Sequence, residues 1–268
     1  MKKYLIGVAL VAAVGAACSD ARQGRMQPQA DERAATTVQV TATEYSFDVP
    51  SEVTGGVVEM RFANNGAFPH EFALSRIEEG RTEADVQVAL EGQAPPKWAE
   101  DIGGVPTLSP GESITVTRTL EPGSYVLLCF LPGDHGMPHA LMGMYELFTV
   151  TGDAGVALPQ SDAIITATDD ALQVPALTSG EQTVKFENDG TDPHELVLAA
   201  FESGKGIEDV DRWIEGGYQG ESPVTFLGGM QTISAGESVF LGIDLEPGVE
   251  YTAIDFTTGS QEVFTAGM

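Results

Sequence analysis

Cysteine, histidine and positive charge are all scarce in this chain. Two Cys, Cys18 and Cys129, and four His are spread over 268 residues. Against 40 Asp and Glu stand 13 Lys and Arg, a formal charge of −27. So few basic residues argue against nucleic acid as a partner and against docking on anionic lipid by charge. The acidity suits steering toward a basic partner, and equally suits solubility in salty surroundings. After the first few turns of chain, no hydrophobic run is long enough to span a bilayer. There is no Ser-His-Asp arrangement with a nucleophile motif. Gly103-Gly104 and Gly228-Gly229 are not followed by Lys-Ser/Thr, so they are no phosphate cradle. No enzymatic activity is expected on these grounds.

What is present begins with a leader. Lys2 and Lys3, the apolar Tyr4 to Val14 and the small Gly15-Ala16-Ala17-Cys18 read as an export signal. The segment resembles a bacterial lipobox, which implies removal of 1–17 and lipidation of the Cys18 thiol. The other reading is an ordinary signal peptide with a chance Cys. Loss of Lys2 and Lys3 would take the charge from −27 to −29. Residues 18–36 are polar and aperiodic and read as a flexible tether to a membrane. The expected location is the cell envelope, anchored through Cys18 on the periplasmic or outer side. Lipidation of Cys18 would leave Cys129 as a lone thiol, unable to form a disulfide within the chain.

From Thr37 onward the pattern is strands. Val38 to Val49 reads as one long strand, and Val58, Met60 and Phe62 alternate with Glu59 and Arg61. Thr82 to Leu90 reads as a short helix with Thr82 as N-cap and Asp85 at the third helical position. Gly 31 and Pro 15 suit turns. The chain then repeats itself. Val40 to Pro50 matches Ile165 to Pro175, and Phe62 to Glu71 matches Phe186 to Glu195. Leu120-Glu-Pro-Gly123 returns as Leu245-Glu-Pro-Gly248, and the helix returns at Ile207 to Glu215. The expected fold is all-β: two tandem Greek-key β-sandwich domains, each with one short helix. The expected boundaries are 37–151 and 161–268, with a linker near Thr151 to Gln160.

Between two apolar strands, Gly123 to Phe130 and Tyr145 to Val150, lies a Pro/Gly loop. That stretch carries Cys129, His135, His139 and the methionines Met137, Met142 and Met144. Thiolate, imidazole and thioether make the ligand set of a soft metal, copper above all. The second copy is an internal control. Eighteen residues separate Cys129 from Phe148, but only eight separate the equivalent Asp255 and Phe264. The second copy keeps the strands, loses the loop, and has Asp in place of Cys. His194 survives there and reads as a structural histidine bonding backbone near its turn.

Asn64-Asn65-Gly66-Ala67-Phe68-Pro69-His70, followed by Tyr125, Cys129, His139 and Met144, resembles the cupredoxins, the plastocyanin-like blue copper proteins. The resemblance covers both copies as fold and only the first as site. It implies His70, Cys129 and His139 as equatorial ligands of one type 1 copper and Met144 as the weak axial ligand. His135 and Met142 are rivals within the same loop. Nine residues separate Cys129 from His139, a loop more like that of copper nitrite reductases than of the small carriers. Those enzymes, and multicopper oxidases, resemble one another in needing further histidines and a His beside the Cys. Here Leu128 precedes Cys129, and four His are too few.

The expected function is a membrane-tethered type 1 copper electron carrier. Its expected partner is a redox protein, and the acidity allows a basic one, such as a cytochrome c or a copper enzyme. Copper storage or delivery is one alternative, suggested by Met137, Met142 and His135. A metal-free cupredoxin-like lipoprotein that binds another envelope component is the other.

Overall fold

The structure is a computed structural model and describes residues 35–92, 94–133 and 136–267. The leader, Cys18, all but the end of the tether, and His135 lie outside the described residues. Among those described, no helix is long and apolar enough to cross a membrane.

The first copy begins with β1 (Thr36–Thr43), β2 (Ser46–Asp48), β3 (Glu52–Thr54) and β4 (Gly56–Asn64). It continues with β5 (His70–Ile77), α1 (Glu83–Leu90), β6 (Ala99–Leu108), β7 (Ser113–Leu120), β8 (Gly123–Leu128) and β9 (Tyr145–Thr151). The second has β10 (Ala163–Thr168), β11 (Ala171–Gln173), β12 (Gly180–Asn188) and β13 (His194–Phe201). Then come α2 (Ile207–Glu215), β14 (Val224–Ile233), β15 (Ser238–Leu245), β16 (Glu250–Asp255) and β17 (Ser260–Thr265). The fold is all-β, with one short helix in each copy.

Alternation builds these strands. In β1, Val38, Val40 and Ala42 are buried while Thr37, Gln39 and Thr43 are exposed, the mark of one face on a core. Parallel pairing sets Val40 of β1 against Phe62 of β4, and Ile165 of β10 against Phe186 of β12. The same apolar pair thus sits at the same place in both copies. The helix α1 starts as its sequence requires. Thr82 Oγ1 accepts from Asp85 N–H at 3.4 Å, and Thr82 N–H donates to Asp85 Oδ2 at 2.8 Å.

One expected strand is broken. The stretch 38–49 folds back as the hairpin β1–β2, turning at Tyr45, whose φ is 61. The buried positions change phase across the turn, from Val38, Val40 and Ala42 to Phe47, so 38–49 is not one continuous alternation.

The sheets do not stop at the repeat boundary. One has the order β11-β10-β12-β15-β7-β4-β1-β2 and the other β17-β16-β13-β14-β6-β5-β8-β9-β3. In the first, Leu241 of β15 pairs with Val116 of β7. In the second, Leu227 of β14 pairs with Leu108 of β6, and Ser109 N–H donates to the Phe226 carbonyl at 2.9 Å. Each copy covers an edge of the other. One hydrophobic core runs through both, from Val38 and Phe62 to Phe186 and Leu241.

Candidate metal centre

β4, β5 and β8 end at one pole of the first copy, and the site is built there. Asn64, the fully buried last residue of β4, shapes the loop to His70. Its Nδ2 donates to the Phe68 and Leu108 carbonyls at 2.8 Å each, and its Oδ1 accepts from Gly66 N–H at 2.9 Å. Glu44, from the β1–β2 turn, accepts from the N–H groups of Ala67 and Phe68. His70 therefore opens β5 at the end of a loop held from both sides, and it is 0% exposed. Gly66 lets that loop close on the ring: a Cβ there would lie 2.8 Å from His70 Nε2. Only a residue without a side chain fits so close.

Cys129 sits one residue beyond β8, also 0% exposed. β8 is covered on both faces, since Tyr125, Val126, Leu127 and Leu128 are all buried. The loop that follows is tied back to it. Cys129 N–H donates to the Met144 carbonyl at 3.2 Å, and Ala140 N–H donates to the Cys129 carbonyl at 2.7 Å. A 3₁₀ turn spans His139–Met142, closed by Gly143 at φ 104. His139 N–H donates to the Leu131 carbonyl at 2.9 Å. These bonds put the His139 ring beside the thiol. Tyr45, from the β1–β2 turn, meets it edge-on with 5.1 Å between centroids.

The structure thus brings His70, Cys129 and His139 together, one donor atom from each within 4.8 Å of the others. Cys129 Sγ lies 3.4 Å from His139 Nδ1 and 4.0 Å from His70 Nδ1. An ion about 2.0 Å from nitrogen and about 2.3 Å from sulfur holds the two about 3.5–3.7 Å apart at tetrahedral to trigonal angles. The observed separations bracket that range, so the trio fits an ion. Met144 is fully buried at the end of the loop, with its backbone on Cys129. Met142 Sδ and the His139 ring both lie within 3.1 Å of where a Gly133 Cβ would be. Met137 is 50% exposed.

Electrostatics keep the trio uncharged. Burial, then the neighbouring His139, lowers the pKa of His70 to about 4, against the pull of Glu44. Burial likewise lowers that of His139, with Glu44 opposing. Burial and the nearby Glu71 push the Cys129 thiol up to about 12. Two neutral imidazoles are ready ligands. The thiol keeps its proton until a metal displaces it. Each ring's Nε2 is buried and has no hydrogen-bond partner among the described residues. His70 Nε2 stands 3.8 Å from Glu44, too long for a hydrogen bond.

The second copy keeps this cradle and changes its contents. Asn188 Nδ2 donates to the Asp192 and Ile233 carbonyls at 2.9 and 3.0 Å, as Asn64 does to Phe68 and Leu108. Asp169 takes the place of Glu44 and accepts from the Thr191 and Asp192 N–H groups. Where the sulfur would be, Asp255 Oδ2 lies 2.7 Å from His194 Nδ1, and Asp169 Oδ1 lies 3.2 Å from Nε2. His194 is structural, as expected, but it bonds two carboxylates rather than backbone. A β-turn too short to reach the ring leaves Asp255 as its nearest partner.

Glu44, Tyr45, Asn64 and Glu71 shape the site and were not singled out by their chemistry. The retained Asn64/Asn188 and the acidic Glu44/Asp169 in the repeat alignment are the signal that points to them.

No protein-family model and no curated protein matches the chain. Among solved structures it is similar to the reduced auracyanin of Roseiflexus castenholzii, at 28% identity and a TM-score of 0.31, over 44% of this chain and 98% of that one. It is similar to auracyanin A of Chloroflexus aurantiacus, described as a blue copper protein, at 25% identity and a TM-score of 0.30, over 44% and 100%. A multicopper oxidase is similar at 16% identity and a TM-score of 0.27, over 88% of this chain and 93% of that one. With two sandwiches of one strand order and a buried His–Cys–His group at the end of the first, this is a cupredoxin-like protein of two repeats, and its trio supports copper binding.

Proposed function

We propose that the chain is a one-electron carrier using a single type 1 copper held by the first copy. One observation carries this reading: the buried His70–Cys129–His139 trio, set against its replacement by a His194–Asp255 ion pair in the second copy. A fold-stabilising cluster would not need a thiol and two unpaired imidazoles where an ion pair serves. Cys129 is the thiolate ligand, His70 and His139 bind through Nδ1, and Met144 is the weak axial ligand. Copper there would supply a Cu(II)/Cu(I) couple. The chain's own part is to fix the donors from strand ends, exclude water and limit rearrangement between charge states. Ligands tied to the sheet by Asn64, Glu44 and the loop's backbone bonds suit that task.

Of the four His, two are in the trio and His194 is engaged by carboxylates, so a carrier fits better than a self-contained oxidase or reductase. Lipid anchoring at Cys18 would hold it in the cell envelope. The charge of −27 suits a basic redox protein as partner. Adding Cu(II) to the mature protein should give an intense blue thiolate charge-transfer band at one copper per chain. The band should vanish in Cys129→Ser. A colourless adduct, or no uptake, rejects the reading. The further thioether of Met142, on the same loop as His139, favours storage or delivery of Cu(I) as the second reading. Tight Cu(I) binding without a reversible Cu(II) couple would select it. A chain that takes up no copper and instead binds another envelope component is the third.

A further inference from the structure

We propose that the cavity between α1 and the outer face of β5, β6 and β8 is a binding site for a compact aromatic cation, a single ring carrying a short ammonium tail. The site is separate from the metal centre and does not rest on the copper reading.

The two copies supply the comparison, because their ladders match under the helix. Ala73 pairs with Gly104, Ser75 with Asp101 and Ile77 with Ala99. In the second copy Val197 pairs with Gly229, Ala199 with Phe226 and Phe201 with Val224. Residues paired in a ladder share a face of the sheet. The face under α2 is therefore set by Val197, Phe226 and Val224, which pack with Val210 of the helix into one cluster. At the same three points the first copy has Ala73, Asp101 and Ala99. Its helix sits in the same way. Val86, four residues after the N-cap Thr82, is buried as Val210 is, four after Gly206. Small side chains under an unchanged helix leave space. That space is a cavity of about 350 Å³, which has room for one ring and a short arm and lies at the lower end for ligand sites.

The lining says what would fill it. Leu90 of α1, Trp98, Val126 and Leu128 give apolar walls, with Phe130 half exposed. Ser75 and Asp101 lie side by side on the sheet. Among the described lining residues Asp101 carries the only charge, and none is Lys or Arg. The nearby guanidinium groups are engaged elsewhere. Arg81 lies over the Trp98 ring, 4.9 Å from its centroid, and pairs with Glu78 and Asp85. Arg118 donates to the Ile102 carbonyl. An anion would meet a carboxylate with no cation beside it, and a plain hydrocarbon would gain nothing from Asp101. A ring with a positive tail uses the apolar walls and the carboxylate together, and Trp98 also favours a positive group. The chain's charge of −27 draws such a ligand in. Leu128 packs under α1 with Val86, whereas Cys129 belongs to the core between the sheets. The cavity and the metal centre thus lie on opposite faces of one stretch of chain.

Three probes with the same ring and two-carbon arm test this: 2-phenylethylamine, phenylacetate and ethylbenzene. Each is titrated near neutral pH into the metal-free full chain carrying Trp213→Phe. Trp98 is then its only indole, so its fluorescence reports this cavity. The amine should give a saturable change and bind about fivefold tighter than ethylbenzene, the upper worth of a partly exposed ion pair. Phenylacetate should bind weakest. Asp101→Asn should bring the amine down to the level of ethylbenzene and leave ethylbenzene unmoved. The triple substitution Ala73→Val, Ala99→Val and Asp101→Phe installs the second copy's side chains and should abolish binding of both. No saturable change with the amine overturns the proposal, and the cavity is then a packing gap whose filling by the triple substitution should only raise the unfolding midpoint. An amine that binds no tighter than phenylacetate overturns the charge assignment. Undiminished binding in the triple variant overturns the location. Should that variant fail to fold, Ala99→Val alone carries the location test, with a severalfold loss expected.

Discussion

Asp255 and Cys129 occupy the same point of two copies of one fold, and the difference between them is chemical rather than geometric. In the second copy, burial opposes ionisation of both partners, but their mutual bond wins. The bonds to Asp255 and Asp169 outweigh burial and raise the pKa of His194. The bonds from Thr257 and His194 outweigh burial and lower that of Asp255. The pair's stabilisation is full above the ordinary Asp value of about 3.9 and below the ordinary His value of about 6.5. It is lost as pH falls through the lowered Asp255 pKa, and lost again as pH rises through the raised His194 pKa. The gap in urea midpoint between wild type and Asp255→Asn should therefore be widest between about pH 4 and 6.5 and narrow on either side. A pH-independent gap would refute the ion pair. Truncation to Asp255→Ala should cost about 1–3 kcal/mol, because buried His194 Nδ1 loses its partner while Asp169 still holds Nε2. In the first copy Gly66 is the sensitive neighbour. Gly66→Ala would put a methyl 2.8 Å from His70 Nε2 and displace the ring. Copper affinity, measured against a competing chelator, should fall while the unfolding midpoint drops by only about 1–3 kcal/mol equivalent.

At the scale of elements, the loop from Phe130 to Met144 is separable from the strands it joins. β8 and β9 pair from Gly123↔Val150 to Leu128↔Tyr145, as β16 and β17 do from Glu250↔Thr265 to Asp255↔Ser260. Replacing 130–144 by the Phe256–Gly259 turn should keep the far-ultraviolet dichroism and abolish copper uptake. A chain that no longer folds would show instead that the loop is structural. The repeat comparison made this separation legible, because a loop present once and strands present twice cannot have the same role. The start of α1 was legible too, since Thr82 and Asp85 act within one turn. Tyr45 was not. Its only mark is a change of phase in the buried positions, from Val38, Val40 and Ala42 to Phe47, which a single-strand reading passes over. The packing of Tyr218, beyond α2, against Phe68 was hidden for another reason: the two are far apart in sequence, and no local period reports a contact between copies.

At the scale of the whole molecule, the shared sheets decide how the chain comes apart. Val116 sits between Met60 of β4 and Leu241 of β15, so tension in one copy reaches the other through the ladder. Calorimetry on residues 35–267 should give one transition for both copies. Two well-separated transitions would mean the seam is weak. With a formal charge of −27, self-repulsion opposes the compact state, so added salt should raise that transition temperature. The same salt should slow association with the basic redox partner proposed above. This joining was beyond what repeat matching can read, since equal copies predict equal folds and say nothing of which edges meet.

The seam at β7 and β15 has a last consequence. A shortened chain ending before Ala163 would present β7 and β6 as bare, unprotected rims, each ready to recruit a like strand from a neighbouring molecule. Such a fragment should be recovered as pairs or fibrils by light scattering. The second copy thus insures the first against sticking to itself, and a gene that discarded it would first have to invent a new selvedge.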